Sequence, residues 1–219
     1  MAEHNIGYRE RIADRLLEEK LDAMGAVLIE GPKACGKTTT AEQQAKSILY
    51  MDDPETMAQT LQLAETNIKR LLQGDTPRLI DEWQIAPQLW DAVRFETDHR
   101  KDDGLFMLTG SAVPADDSKI HHTGAGRFAW LTMRPMSLWE SGESSGDVSL
   151  GELFSHPEKV DGTNPLKMED VAFAICRGGW PKSLNKKTAK AALSQVKEYF
   201  EAITRSDRRA ESLWQDDNG

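Results

Sequence analysis

Cysteine is scarce. Cys35 and Cys176 are the two thiols in 219 residues, too few for a disulfide framework or a zinc ribbon. Nowhere does the chain hold a run of about 18 apolar residues, and Met1 to Arg11 is polar from the start, so neither a membrane span nor a secretory leader is expected. Basic residues are outnumbered: 27 Lys and Arg against 36 Asp and Glu leave a formal charge of −9 and a pI near 5.1. That balance opposes a general nucleic-acid coat or a basic membrane-surface protein, both of which work by attracting anions. No internal repeat is visible. The 39% of hydrophobic residues still suffices for a core. A single cytoplasmic domain with a small appendage is the expectation.

Apolar spacing supplies the organisation. Tyr8 to Met24 carries a helical stripe of Ile12, Leu16, Leu17, Leu21 and Met24. Ala26-Val27-Leu28-Ile29 and Leu105-Phe106-Met107-Leu108 are short, wholly apolar runs, as expected of strands buried on both faces. Ser47 to Met51, Leu79-Ile80 and Phe128 to Met133 are further strand candidates. Between them, Thr38 to Ala45, Met57 to Leu71 and Pro87 to Thr97 read as helices. Strands alternating with helices imply an α/β fold with a parallel sheet between helices. After Pro135 the pattern turns helical, over Leu150 to Ser155, Met168 to Cys176 and Thr188 to Arg205. Ser141 to Ser149, rich in Ser, Gly and acids, reads as a flexible excursion, and Ser206 to Gly219 as a frayed tail.

Gly31-Pro32-Lys33-Ala34-Cys35-Gly36-Lys37-Thr38 matches G-x-x-x-x-G-K-S/T between a predicted strand and a predicted helix. Such a loop wraps backbone N–H groups around an anion, and its glycines let the chain curl. Lys37 can then meet the β- and γ-phosphates of ATP, and the Thr38 hydroxyl can ligate Mg²⁺, with Thr39 beside it on the first helical turn. Asp81-Glu82 follows Leu79-Ile80 at the strand end where α/β sheets bind ligands. There Asp81 can complete the metal shell and Glu82 can polarise the attacking water. Thr109-Gly110-Ser111 ends the next strand, and either hydroxyl, Thr109 or Ser111, can meet the γ-phosphate or the water. Gly124-Ala125-Gly126-Arg127 presents an arginine expected near the same sheet edge, a candidate for neutralising transition-state charge in its own subunit or a neighbour's. Cys35, beside Lys37 at a helix start, is expected to have a lowered pKa, yet an unreactive loop residue is the simpler role. His121-His122 lacks metal-ligand spacing. Lys186, Lys187, Lys190 and Lys197 read as a solvated helix face, so nucleic-acid contact has no positive support.

Lys37-Thr38, Asp81-Glu82-Trp83-Gln84, Thr109-Gly110-Ser111, Gly124 to Arg127, Arg134-Pro135-Met136-Ser137 and Gly178-Gly179-Trp180-Pro181 occur in that order. The series resembles prokaryotic AAA-type ATPases of the archaeal-ATPase-like group over roughly Tyr8 to Asp207. The resemblance implies a five-stranded P-loop ATPase core over 1–140, a helical lid over 141–207 and a disordered tail over 208–219. It also implies a Gly-x-Pro turn against the nucleotide base, matched here by Gly179 and Pro181. Group members usually continue into a carboxyl-terminal domain of unknown function, so a shortened member is expected here. The functional expectation is ATP binding with Mg²⁺-dependent hydrolysis, coupled through lid movement about Ser141 to Ser149 to a protein partner or a second copy. Its rivals are a non-hydrolysing nucleotide switch and a small-molecule kinase, the latter opposed by an acid placed to activate water.

Overall fold

The computed structural model describes residues 7–110 and 124–216, with 206–216 as backbone alone. It divides into two units, 1–134 and 135–219. The first contains α1 (Ile12–Leu21), β1 (Ala26–Glu30), α2 (Lys37–Gln44), β2 (Ser47–Tyr50), α3 (Met57–Thr66), β3 (Arg78–Asp81), α4 (Leu89–Arg100), β4 (Phe106–Thr109) and β5 (Phe128–Thr132). The strands form one sheet in the order β2-β3-β4-β1-β5, every neighbouring pair parallel. This is the α/β architecture expected from the alternating pattern.

Burial explains why the apolar runs are unbroken. In β1 and β4 every residue except Glu30 is buried, because helices cover both faces. Ala26 and Leu28 join Ile80, Phe106, Leu108, Leu89 and Val93 in one core. Val27 and Ile29 alternate to the opposite face, where α1 contributes the buried Leu17 and Leu21. The edge strands differ. β2 alternates half-buried with exposed residues, and β5 leaves Trp130 43% exposed. The tryptophans split accordingly: Trp83 and Trp90 are core residues, Trp90 stacking on Phe128 at 4.0 Å between centroids, whereas Trp130 and Trp139 face outward. At the other edge of the molecule's sequence, α1 starts where Asp14 reaches back to accept the Arg11 backbone N–H at 2.7 Å, a device that satisfies an otherwise orphaned donor.

The second unit holds α5 (Leu150–Ser155), α6 (Met168–Arg177), α7 (Pro181–Leu184) and α8 (Ala189–Asp216). α6 and α7 both pack on α8, with Trp180 against Tyr199 at 4.6 Å. The expected flexible excursion is partly tied down. Glu143 receives two hydrogen bonds from the buried Arg177, each 2.7 Å, and its carbonyl accepts from Asn164 at 3.2 Å. The chain divides between residues 134 and 135, and Leu138 to Ser144 is folded by its own backbone bonds and, through Glu143, by Arg177. α8 also continues to Asp216, through most of the stretch from Ser206 expected as a frayed tail.

Candidate active site

Parallel strands bring their carboxyl ends to one edge, and β4 lies between β1 and β3. Register then decides the site: Thr109 stands opposite Ile29 on one side and Asp81 on the other. The glycine loop following β1 therefore opens beside Asp81 and Thr109. Thr38 Oγ1 donates to Asp81 Oδ1 at 2.8 Å, and Thr109 Oγ1 donates to the same oxygen. Asp81 and Thr109 are both buried. Two hydroxyls from two other segments thus converge on the Asp81 carboxylate. Glu82 follows immediately, half-buried and in a left-handed backbone conformation (φ 54°) that turns the chain out of the strand.

The loop itself has the geometry its glycines require. Gly31 has φ +150°, and a Cβ there would collide with the Met133 carbonyl at the end of β5, so the chain can pass only as glycine. Gly36 has φ +105° and precedes α2, whose first N–H groups have no intrahelical acceptor. Pro32, Lys33, Ala34 and Thr39 are exposed along the loop and first turn. The Lys37 side chain is buried and folds back, its ammonium donating to the carbonyls of Gly31 (2.9 Å) and Pro32 (3.1 Å). An arriving phosphate would exchange these neutral acceptors for an anionic one.

The donor set fits a magnesium ion that comes with its phosphates. The Thr38 hydroxyl gives its proton to Asp81 and keeps its lone pairs for a metal, and Asp81 supplies a hard oxygen. Among the described residues no group of three His, Cys, Asp or Glu is placed to hold a metal ion.

Two expectations change, those for Arg127 and Cys35. Arg127 precedes β5, and the partner of Phe128 is Ala26, the first residue of β1. Arg127 therefore sits at the amino-terminal edge of the sheet, one strand length (about 13–16 Å) from the glycine loop. Its guanidinium donates to Asp98 of α4 at 2.7 Å, which holds the Asp98 carboxyl below its usual range. The arginine is far from the phosphate loop in its own chain because a parallel sheet puts strand starts and strand ends on opposite edges. Cys35 is also corrected: it is fully buried, and burial pushes its thiol up, outweighing the lowering influence of Lys37 and Arg11. Gly179 and Pro181 have duties within their own unit. Gly179 lies against the Met136 backbone, with Met136 N–H donating to its carbonyl at 2.7 Å, and Pro181 opens α7. Ser111 and His121-His122 lie outside the described residues.

The sequence reading missed Tyr8, Arg11 and Gln84. Arg11 is buried, and its guanidinium donates to the carbonyls of Cys35 (2.9 Å) and Arg134 (2.7 Å). The Tyr8 hydroxyl donates to Asp14 at 2.6 Å and lies 3.0 Å from the Thr40 hydroxyl of α2. Burial, then the bond to Asp14, holds that phenol protonated beyond the usual tyrosine range. The amino-terminal segment thereby braces the glycine loop. A polar tyrosine and arginine outside any motif carry no sequence signal for this.

A family model described as an AAA domain matches residues 24–141. Among solved structures, a signal transduction ATPase with numerous domains and a tetratricopeptide repeat sensor, from Pyrococcus horikoshii, is 15% identical with a TM-score of 0.43; the match covers 90% of this chain and 33% of that one. PCH-2 of C. elegans is 15% identical with a TM-score of 0.35, over 84% of this chain and 58% of its own. The chain thus spans less than two thirds of either structure's length. No curated protein matches it.

Proposed function

The chain belongs to the AAA domain family and forms an ATP-binding AAA module, and from that premise we propose that it is a Mg²⁺-dependent ATPase. The observation that carries the reading is the convergence of Thr38 and Thr109 on Asp81 beside the glycine loop, with Glu82 next in the chain. In the proposed cycle, the backbone N–H groups of Lys33 to Thr39 and the Lys37 ammonium bind the triphosphate, Gly31 and Pro32 shaping the turn. Thr38 and Asp81 would hold Mg²⁺, which supplies charge neutralisation on the phosphate oxygens. Glu82 accepts a proton from water as its oxygen attacks the γ-phosphorus; the bond from that phosphorus to the β–γ bridging oxygen breaks, and ADP leaves with the electron pair. Thr109, fixed on Asp81, is placed to report whether the γ-phosphate is present.

The ordered motif series supports the archaeal-ATPase-like branch of the family. Coupling of nucleotide state to a protein partner or a second copy belongs to the same proposal, supported by the division of the chain into two units. The test pairs two variants. Lys37→Ala should lose the thermal stabilisation conferred by Mg-ATP, which for wild type amounts to about 2.7 kcal/mol at a hundredfold excess over Kd. Glu82→Gln should keep that stabilisation and lose phosphate release by at least ~100-fold. A wild-type melting shift in Lys37→Ala refutes the phosphate site, and undiminished turnover in Glu82→Gln refutes the base.

A further inference from the structure

Two residues after Glu82, on the single 3-10 turn Trp83–Ile85, the Gln84 side chain folds back and its amide Nε2 donates to Glu82 Oε2. The other end of that amide, Oε1, is buried and has no hydrogen-bond partner. A buried acceptor without a donor is costly to keep, so the amide is held here by what its other end does. Oε1 points toward Gly110, the residue directly after Thr109 at the end of β4. A Cβ at position 110 would collide with Oε1 and come within 3.1 Å of Gln84 Cδ and 3.3 Å of the Trp83 ring. Gly110 does not have a left-handed backbone here, so the space for the Gln84 amide is what requires the missing side chain.

These facts join into one arrangement. Gln84 holds one oxygen of Glu82, which follows Asp81, while its own amide is packed against Gly110, which follows Thr109. We infer that Gln84 is a positioning residue for the group that accepts the proton: it orients the Glu82 carboxylate through Nε2 and depends on Gly110 for its room. The inference rests on the reading of Glu82 as the group that accepts the proton. It adds a specific residue, and it gives the glycine of Thr109-Gly110-Ser111 the duty of leaving room for the Gln84 amide. Gln84 acts through Glu82 alone; the bonds formed and broken at phosphorus are those given above.

The test takes Gln84→Met, which keeps length and packing but removes both polar atoms, and Gly110→Ala, which crowds the amide, and combines the two positions in a double-mutant cycle. Each single variant should lower kcat by about 10- to 100-fold, the scale of an ångström-sized misplacement of a reacting group, with Mg-ATP affinity within twofold of wild type. The double variant is built on Gln84→Ala and should be no slower than Gln84→Ala alone, because the truncated side chain leaves the added methyl nothing to displace. A second readout needs no turnover. Affinity for Mg-ADP-fluoroaluminate, which holds the attacking position in a transition-state-like geometry, should fall in Gln84→Met while Mg-ATP affinity stays. Gln84→Ala serves if the methionine packs poorly. Wild-type kcat in both Gln84 variants with loss in Glu82→Gln overturns this inference alone, as do additive losses in the cycle or an equal fall in affinity for both ligands. Persistent hydrolysis in Glu82→Gln overturns it together with the reading beneath it.

Discussion

Replacing Arg11 by methionine should damage both stability and nucleotide binding, for separable reasons. The guanidinium donates to two carbonyls from distant parts of the first unit, Cys35 in the glycine loop and Arg134 after β5. A hydrogen bond from a charged donor contributes roughly 1.5–3 kcal/mol. The bond to Cys35 is buried and so lies toward the upper end, that to Arg134 is partly buried and lies toward the lower. Methionine retains most of the apolar stem, so the packing loss is small. The sum is about 4–5 kcal/mol; with a urea dependence of ~2 kcal/mol per molar, the unfolding midpoint should fall by roughly 2–2.5 M. The second effect follows from the planarity of the peptide. The Cys35 carbonyl and the Gly36 N–H share one rigid unit and point in opposite directions. By holding the carbonyl, Arg11 aims the N–H of Gly36 into the phosphate cradle, and its loss should weaken Mg-ATP binding about tenfold, measured by titration well below the unfolding transition. Arg11→Lys should recover no more than about half of the stability, since one ammonium cannot span both carbonyls. A midpoint shift under about 0.3 M refutes the energetic argument. Normal Mg-ATP affinity in a destabilised variant refutes the argument from the peptide plane.

The two thiols should differ sharply. Cys176 is exposed and Cys35 is buried with a raised pKa, so at neutral pH a disulfide reagent should label one thiol fast and the other at least ~100-fold slower, with Cys35 labelling rising only as the solution turns alkaline. Equal rates would show that the loop is open in solution. Arg127→Ala should leave turnover at low protein concentration within about twofold of wild type, because the side chain is a strand length from the loop. Its small stability loss should appear at neutral pH and vanish on acidification: the Asp98 pKa is lowered in the folded state, so the contribution exists above the unfolded carboxyl pKa and disappears as pH falls through the folded one. A large fall in turnover at low concentration would return Arg127 to the active site.

Much of the fold was legible because its causes are local. Ala26 to Ile29 and Leu105 to Leu108 are apolar throughout since both faces of a central parallel strand are covered, and that shows in any reading of the chain. The edge strand β2, with Ile48 and Tyr50 exposed, carries a weaker signal for the same reason. Thr38, Asp81 and Thr109 could be named from motif and position, and the sheet does bring them together. Arg127 could not be placed, because its strand runs parallel to β1 and the residue just before β5 belongs to the far edge. A glycine-flanked arginine looks the same in sequence at either end of a strand.

Element order, the glycine loop and the acidic pair can be read from the chain alone, since each is written in spacing and residue type over a few neighbours. Tertiary structure alone decided the rest. It set the strand order that interposes β4 between β1 and β3. It buried Arg11 against the back of the glycine loop, raised the Cys35 thiol through burial, and set Gln84 between Glu82 and a glycine 26 positions further on. Each of these joins segments far apart in the chain, and a contact of that kind exists only when the sheet has set its register.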